Sequence, residues 1–109
     1  MNVAEMIDAL ELSPLHLADE GTAPVKSVYC GDLLSDVLAH AEPDSVWFTV
    51  QGHNNIIAIA ALRDLACVVV ANGVAPDPQT VANARNQGIS LCGSSLDSAA
   101  LCQQLAGRL

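Results

Sequence analysis

Glycine recurs in this chain at positions 31, 52, 73 and 93, at intervals of 21, 21 and 20 residues. Each follows a short β-forming run: Val25–Cys30, Val46–Val50, Cys67–Val70 and Ile89–Cys92. Each precedes a stretch of roughly three helical turns, about the least that can carry a chain back to begin a parallel neighbour. A strand, a glycine turn and a helix repeated four times is the pattern of successive βα units joined by right-handed crossovers. The expected fold is therefore α/β: a three-layer α/β/α domain around a mainly parallel sheet of about four to five strands.

At 109 residues the chain is one domain, residues 1–109, with length for a single core. Residues 25–109 hold the four βα units. Residues 1–24 add a helix begun by Asn2, with Val3, Met6, Ile7 and Leu10 at helical spacing, which Ser13-Pro14 stops. A short edge strand over Leu15–Leu17 and an acidic, turn-rich loop over Ala18–Pro24 follow, the loop being the most mobile stretch expected.

The middle unit is unusual. Ile56-Ile57-Ala58-Ile59-Ala60-Ala61-Leu62 is apolar on every side of a helix and needs cover on more than one face. A second copy of the chain can provide it through a two-fold axis, with Ile56, Ile57, Ile59 and Ala60 as the interface. Cover by the amino-terminal helix is the internal alternative.

Charge narrows the partners. Four Lys and Arg against twelve Asp and Glu give a formal net charge of −8, which repels phosphate backbones and anionic lipid. Nucleic-acid and membrane roles are not expected, and no apolar run approaches a membrane span. The acidic start MNVAEMIDALE is not that of a secretory signal. Cysteines 30, 67, 92 and 102 show no paired spacing, and Cys67 and Cys102 sit in apolar surroundings; they read as reduced thiols of a cytoplasmic protein.

In a parallel sheet, ligands bind outside the carboxyl ends of the strands. That edge gathers Gly31-Asp32, Gly52-His53-Asn54, Asn72-Gly73 and Gly93-Ser94. These nine residues are the candidate ligand site, with helix starts supplying N–H groups to a small anionic ligand. At each one the competing reading is a tight turn or a helix cap, and Asp32 in particular suits an N-cap. His53 is titratable but has no paired nucleophile. Cys30, Cys92 and His53 form a weak soft-metal set without diagnostic spacing, so no metal or cofactor is expected. His16, His40, Glu42, Asp44 and Asp77 read as solvated surface. GxGxxG, P-loop and GxSxG motifs are absent, so no catalytic residue is assigned.

The stretch VYCGDLLSDVLAHAEPDSVWFTVQGHNNIIAIAALRDLACVVVANGVAPDPQTVANARNQGISL, from Val28 to Leu91, resembles the DRTGG domain family. GDLLS at 31–35 and the QGHNNI turn are similar to stand-alone members. Gly52-His53 stands where the family often has Asp-Arg, and Ala71-Asn72-Gly73 where it has Thr-Gly-Gly. The resemblance implies a three-layer α/β/α module that regulates or assembles and leaves chemistry to other domains. Two functions follow: a non-catalytic regulatory module acting by homodimerisation or docking on a partner protein, and a sensor of a nucleotide or phosphorylated metabolite at the carboxyl edge of the sheet.

Overall fold

A computed structural model describes residues 1–109. Its helices are α1 (Val3–Leu10), α2 (Leu34–His40), α3 (Asn55–Leu62), α4 (Pro78–Gln87) and α5 (Ser98–Leu105). Its strands are β1 (Ser13–His16), β2 (Ser27–Cys30), β3 (Ser45–Thr49), β4 (Cys67–Val70) and β5 (Leu91–Gly93). They form one five-stranded sheet in the order β1-β5-β4-β3-β2. The four βα strands are parallel, and β1 closes one edge antiparallel to β5.

Because β2, β3, β4 and β5 lie in consecutive order, three right-handed crossovers in one direction must place α2, α3 and α4 on the same face. Alternation along the strands divides the core accordingly. Trp47, Val68, Val70 and Leu91 pack beneath α2, α3 and α4 with Val37, Ile56, Ile57, Ala60 and Ala84. Val46, Phe48, Cys67, Val69 and Cys92 pack against α1 and α5 through Val3, Met6, Leu10, Leu101 and Leu105. The three-layer expectation is met.

The same topology explains α3. It lies between α2 and α4 with the sheet below, so three of its sides are covered by its own chain. Ile56, Ile57 and Ala60 are 0% exposed and Ile59 8%. The assignment of these four residues to an interface between copies is therefore corrected: their apolar surface is already buried, by α2 and α4 rather than by α1.

The amino-terminal segment differs from expectation in two places. The helix ends before Ser13-Pro14 as expected, but the strand begins at Ser13 and ends at His16 in place of Leu15–Leu17. Pro14 therefore lies inside β1, opposite Cys92, where an edge strand tolerates its missing N–H. The loop over 18–24 is anchored: Val3 N–H donates to the Ala23 carbonyl (3.0 Å) and Val25 N–H to that of Met1 (2.9 Å). Gly21, at φ +74°, packs so tightly on Ala4 that a Cβ there would lie 2.8 Å from its methyl. Asn2 caps α1 as expected, accepting from Glu5 N–H (2.8 Å) while Glu5 accepts from Asn2 N–H (2.9 Å).

Candidate functional site

The nine candidate residues all lie along the carboxyl edge of the parallel strands, but they divide into two groups. Gly73, Gly93 and Ser94 line a cleft of about 340 Å³ beyond β4 and β5. The rest of its wall is Ser13 and Leu15 of β1, Val74-Ala75-Pro76 from the β4–α4 connection, Val81 of α4, and Ser95. A second, more polar recess of about 310 Å³ adjoins it, sharing Ser13, Ser94 and Ser95 and extending to Glu11 and Gln104. The Ser94-Ser95 turn thus stands between two recesses. It lies where the chain, arriving from α4 on one face, leaves for α5 on the other, the kind of switch point at which open α/β sheets bind ligands.

Backbone hydrogen bonds shape this turn. Asn72 N–H donates to the Leu96 carbonyl and Gly73 N–H to that of Ser94, both at 2.8 Å, and Ser94 N–H donates to Val70 at 3.0 Å. Asn72 and Gly73 adopt φ of +63° and +67°, a left-handed pair that suits glycine and, of the others, asparagine best. Their N–H groups are spent on carbonyls, so their role is to build the cleft wall and not to hold an anion. A Cβ on Gly93 would meet nothing within 4 Å, so this glycine leaves the cleft open.

The other group is structural in its bonding. Asp32 is not the N-cap of α2, which Leu33 occupies without a side-chain bond. Its Oδ1 instead accepts from Thr49 Oγ1 and Val50 N–H, both at 2.9 Å, tying the end of β2 to the end of β3. Gln51 Nε2 donates back to the Asp32 carbonyl (3.0 Å), and Trp47 Nε1 donates to the Gly31 carbonyl (2.8 Å), satisfying the polar tip of a buried ring. Gly52 packs closely on the β4–α4 connection: a Cβ would lie 3.2 Å from Pro76 Cα. Its carbonyl accepts from Thr80 Oγ1 (2.8 Å) and Asp77 N–H (3.1 Å). His53 is exposed and stays local, its Nδ1 lying 3.0 Å from Asn55 Oδ1 at the start of α3. Asn54 Oδ1 is buried without a hydrogen-bond partner.

Helix starts offer less than expected. Asp97 caps α5 by accepting from Ala100 N–H (2.8 Å), and α4 begins with Pro78, which has no N–H. The soft-metal set does not converge either: Cys30 lies against Cys102, Cys92 against Cys67, and His53 against Asn55.

Charge is unevenly distributed. Lys26 pairs with Asp44 at the entry to β2 and β3, and Arg63 donates twice to the Ala41 carbonyl beyond the end of α2. Arg85 is in the last turn of α4, and Arg108 bonds Gln104 beyond the end of α5. Helices α2, α3 and α4 run opposite to the strands, so Lys26, Arg63 and Arg85 sit at the amino edge of the sheet. Arg108 instead follows α5, which crosses the sheet, and bonds the carbonyl of Gln104, a residue lining the second recess. The carboxyl edge carries Asp32, Asp77 and Asp97, and neither recess is lined by Lys or Arg. Position within each βα unit already places Lys26, Arg63 and Arg85 away from the cleft, whereas nothing local places Ser13 and Leu15 in its wall.

No protein-family model and no curated protein matches the sequence. Among solved structures, the fold is similar to the CBS and DRTGG domains of the regulatory region of a Clostridium perfringens pyrophosphatase, a structure complexed with its activator, diadenosine tetraphosphate. The TM-score is 0.78 at 14% identity, over 99% of this chain and 47% of that one, so the chain spans about half the length of that region. What the likeness shows is the fold, a three-layer α/β/α module, in agreement with the fold implied by the resemblance carried by residues 28–91.

Proposed function

We propose that this chain is a non-catalytic regulatory domain that senses a small nucleoside-bearing ligand in the cleft around Gly93 and Ser94. The observation that carries the reading is the cleft itself. It lies at the switch point, with Leu15, Val74, Pro76 and Val81 as an apolar wall for a flat base and Ser13, Ser94 and Ser95 as hydroxyl partners for a sugar. The pyrophosphatase regulatory region of similar fold is held with a dinucleotide activator, which supports the class of ligand.

The absence of Lys and Arg from the lining of this cleft refines that class: the wall offers apolar surface to a base and hydroxyls to a ribose, and no cation to the phosphates attached to them. A thermal-melt series with adenosine, AMP, ATP and diadenosine tetraphosphate, each with and without Mg²⁺, tests the proposal. Stabilisation by at least one member of the series supports it, and flat curves for all at millimolar concentration reject this ligand class.

Association between copies is a second reading, and the observation favouring it is the open edge of β2, not α3. β2 pairs only with β3, and α2 beside it presents Leu33 and Leu38 at 69% and 41% exposure. An unpaired edge next to exposed leucines can join a second copy strand to strand. Light scattering at micromolar concentration decides it: a dimer mass supports the reading, and a monomer removes it.

A further inference from the structure

Four cysteines form two pairs, and the pairs differ in kind. Cys67 and Cys92 sit on the adjacent strands β4 and β5, both fully buried, with sulfurs 3.8 Å apart in ordinary contact. The contact with Cys92 and burial both raise the Cys67 thiol well above its usual range, and no oxidant reaches it. Cys30 and Cys102 are separated by 72 residues, yet their sulfurs approach to 2.8 Å, closer than two sulfurs in van der Waals contact and short of a bond. Cys30 is exposed at the end of edge strand β2, and Cys102 is half-buried on α5.

The fold brings them together for a plain reason. Alternation along β2 sends Tyr29 towards α2 and sends Val28 and Cys30 to the opposite face, where α5 crosses under β3 towards the sheet edge. Cys102 lies on the α5 surface that packs against that core. Neither residue is used by the ligand cleft.

We propose that Cys30 and Cys102 are a modification site, a dithiol that a small disulfide of the glutathione class converts to an intramolecular disulfide. The exposed Cys30 thiolate attacks one sulfur of the small disulfide, breaking its S–S bond and expelling one thiolate, and a mixed disulfide remains on Cys30. Cys102, having lost its proton to solvent, then attacks the Cys30 sulfur and expels the second small thiol. The protein loses two hydrogens and two electrons, and the small disulfide gains them as two thiols. Burial and the Cys102 thiol beside it push the Cys30 thiol up to about 12, which makes the first attack slow at neutral pH and faster in mild alkali. The product staples the edge strand to the carboxy-terminal helix across 72 residues of chain.

The test uses the whole folded protein, incubated with oxidised glutathione at mildly alkaline pH, quenched by alkylation after unfolding, and read by intact mass and peptide mapping. The expected product has lost two hydrogens, contains a Cys30–Cys102 cross-linked peptide, carries no glutathione, and retains alkylatable Cys67 and Cys92. Closing so long a loop should raise Tm by on the order of 10 °C, reversed by dithiothreitol. Cys102→Ser should stop the reaction at the Cys30–glutathione adduct. A stable wild-type adduct without the internal bond, an unreactive Cys30, or an oxidised protein that melts lower than the reduced one would each overturn the proposal.

Discussion

Asp32 holds Thr49. The carboxylate at the end of β2 accepts from the Thr49 hydroxyl and from the next backbone N–H at 2.9 Å each, and Thr49 is fully buried. This bond joins two parallel strands at the edge where a ligand would sit, and it assigns Asp32 to the frame of the site.

Asp32→Ala should therefore destabilise the fold. It leaves a buried hydroxyl and a backbone N–H without their acceptor, at a cost of about 1–3 kcal/mol. Asp32→Asn keeps an oxygen acceptor and should lose less than Asp32→Ala. Urea denaturation reads both. A fully stable Asp32→Ala that no longer binds ligand would show instead that Asp32 touches the ligand.

Tyr29 should titrate high. Its hydroxyl donates to the Asp36 carboxylate, whose second oxygen lies 3.1 Å from His40 Nδ1. The hydrogen bond to Asp36, followed by desolvation and the carboxylate charge, raises Tyr29 above its usual 10.0. The same bond lowers Asp36. The tyrosine's contribution to stability is present below pH 10 and is lost as pH rises through the elevated folded value; the carboxylate's is present above the unfolded carboxylate range and is lost as pH falls through its lowered value. As the chain has one tyrosine, an ultraviolet titration reads it directly. Asp36→Asn should bring it back towards 10, and an unchanged curve would contradict the pairing.

Arg63 should matter to the fold and not to binding. Its Nε and Nη2 donate to the Ala41 carbonyl at 3.0 and 2.8 Å, linking the end of α3 to the end of α2. Arg63→Ala should cost about 1–2 kcal/mol by urea denaturation. Ligand affinity should be unaltered, since this bond lies at the far edge of the sheet.

Phosphates should add no affinity. With no Lys or Arg lining the cleft, adenosine should bind at least as tightly as ATP without Mg²⁺, and added Mg²⁺ should help only the phosphorylated ligands. Calorimetry of the two ligands checks this. An ATP that binds tenfold tighter without metal would place the phosphates on a cation beyond the cleft lining, with Arg108 beside the second recess the one to substitute.

The layers of this fold were legible because a period of about twenty residues leaves a chain few options. What covers α3 was not, because a helix sandwiched between two others and a helix at a dimer interface are equally apolar all round. Only the consecutive strand order, which puts α2 and α4 on its flanks, separates the two. The site was half legible. Gly73, Gly93 and Ser94 were readable as turns at the carboxyl edge, but Ser13 and Leu15 were not, because nothing local says that β1 inserts beside β5. Asp32 looked like a cap since its partner lies 17 residues away, and Cys30 was grouped with Cys92 and His53 since its actual neighbour, Cys102, lies 72 away.

The most direct test of the cleft is Gly93→Leu, compared with the wild type by calorimetric titration of adenosine, the ligand being changed if the melt series ranks another higher. Gly93 has ordinary φ and open space around a Cβ, so a leucine there fills the cleft without straining the backbone. The account predicts a variant that melts within a few degrees of the wild type and has lost at least tenfold in affinity. A Gly93→Leu protein that binds as the wild type does would contradict it and move the ligand away from this cleft.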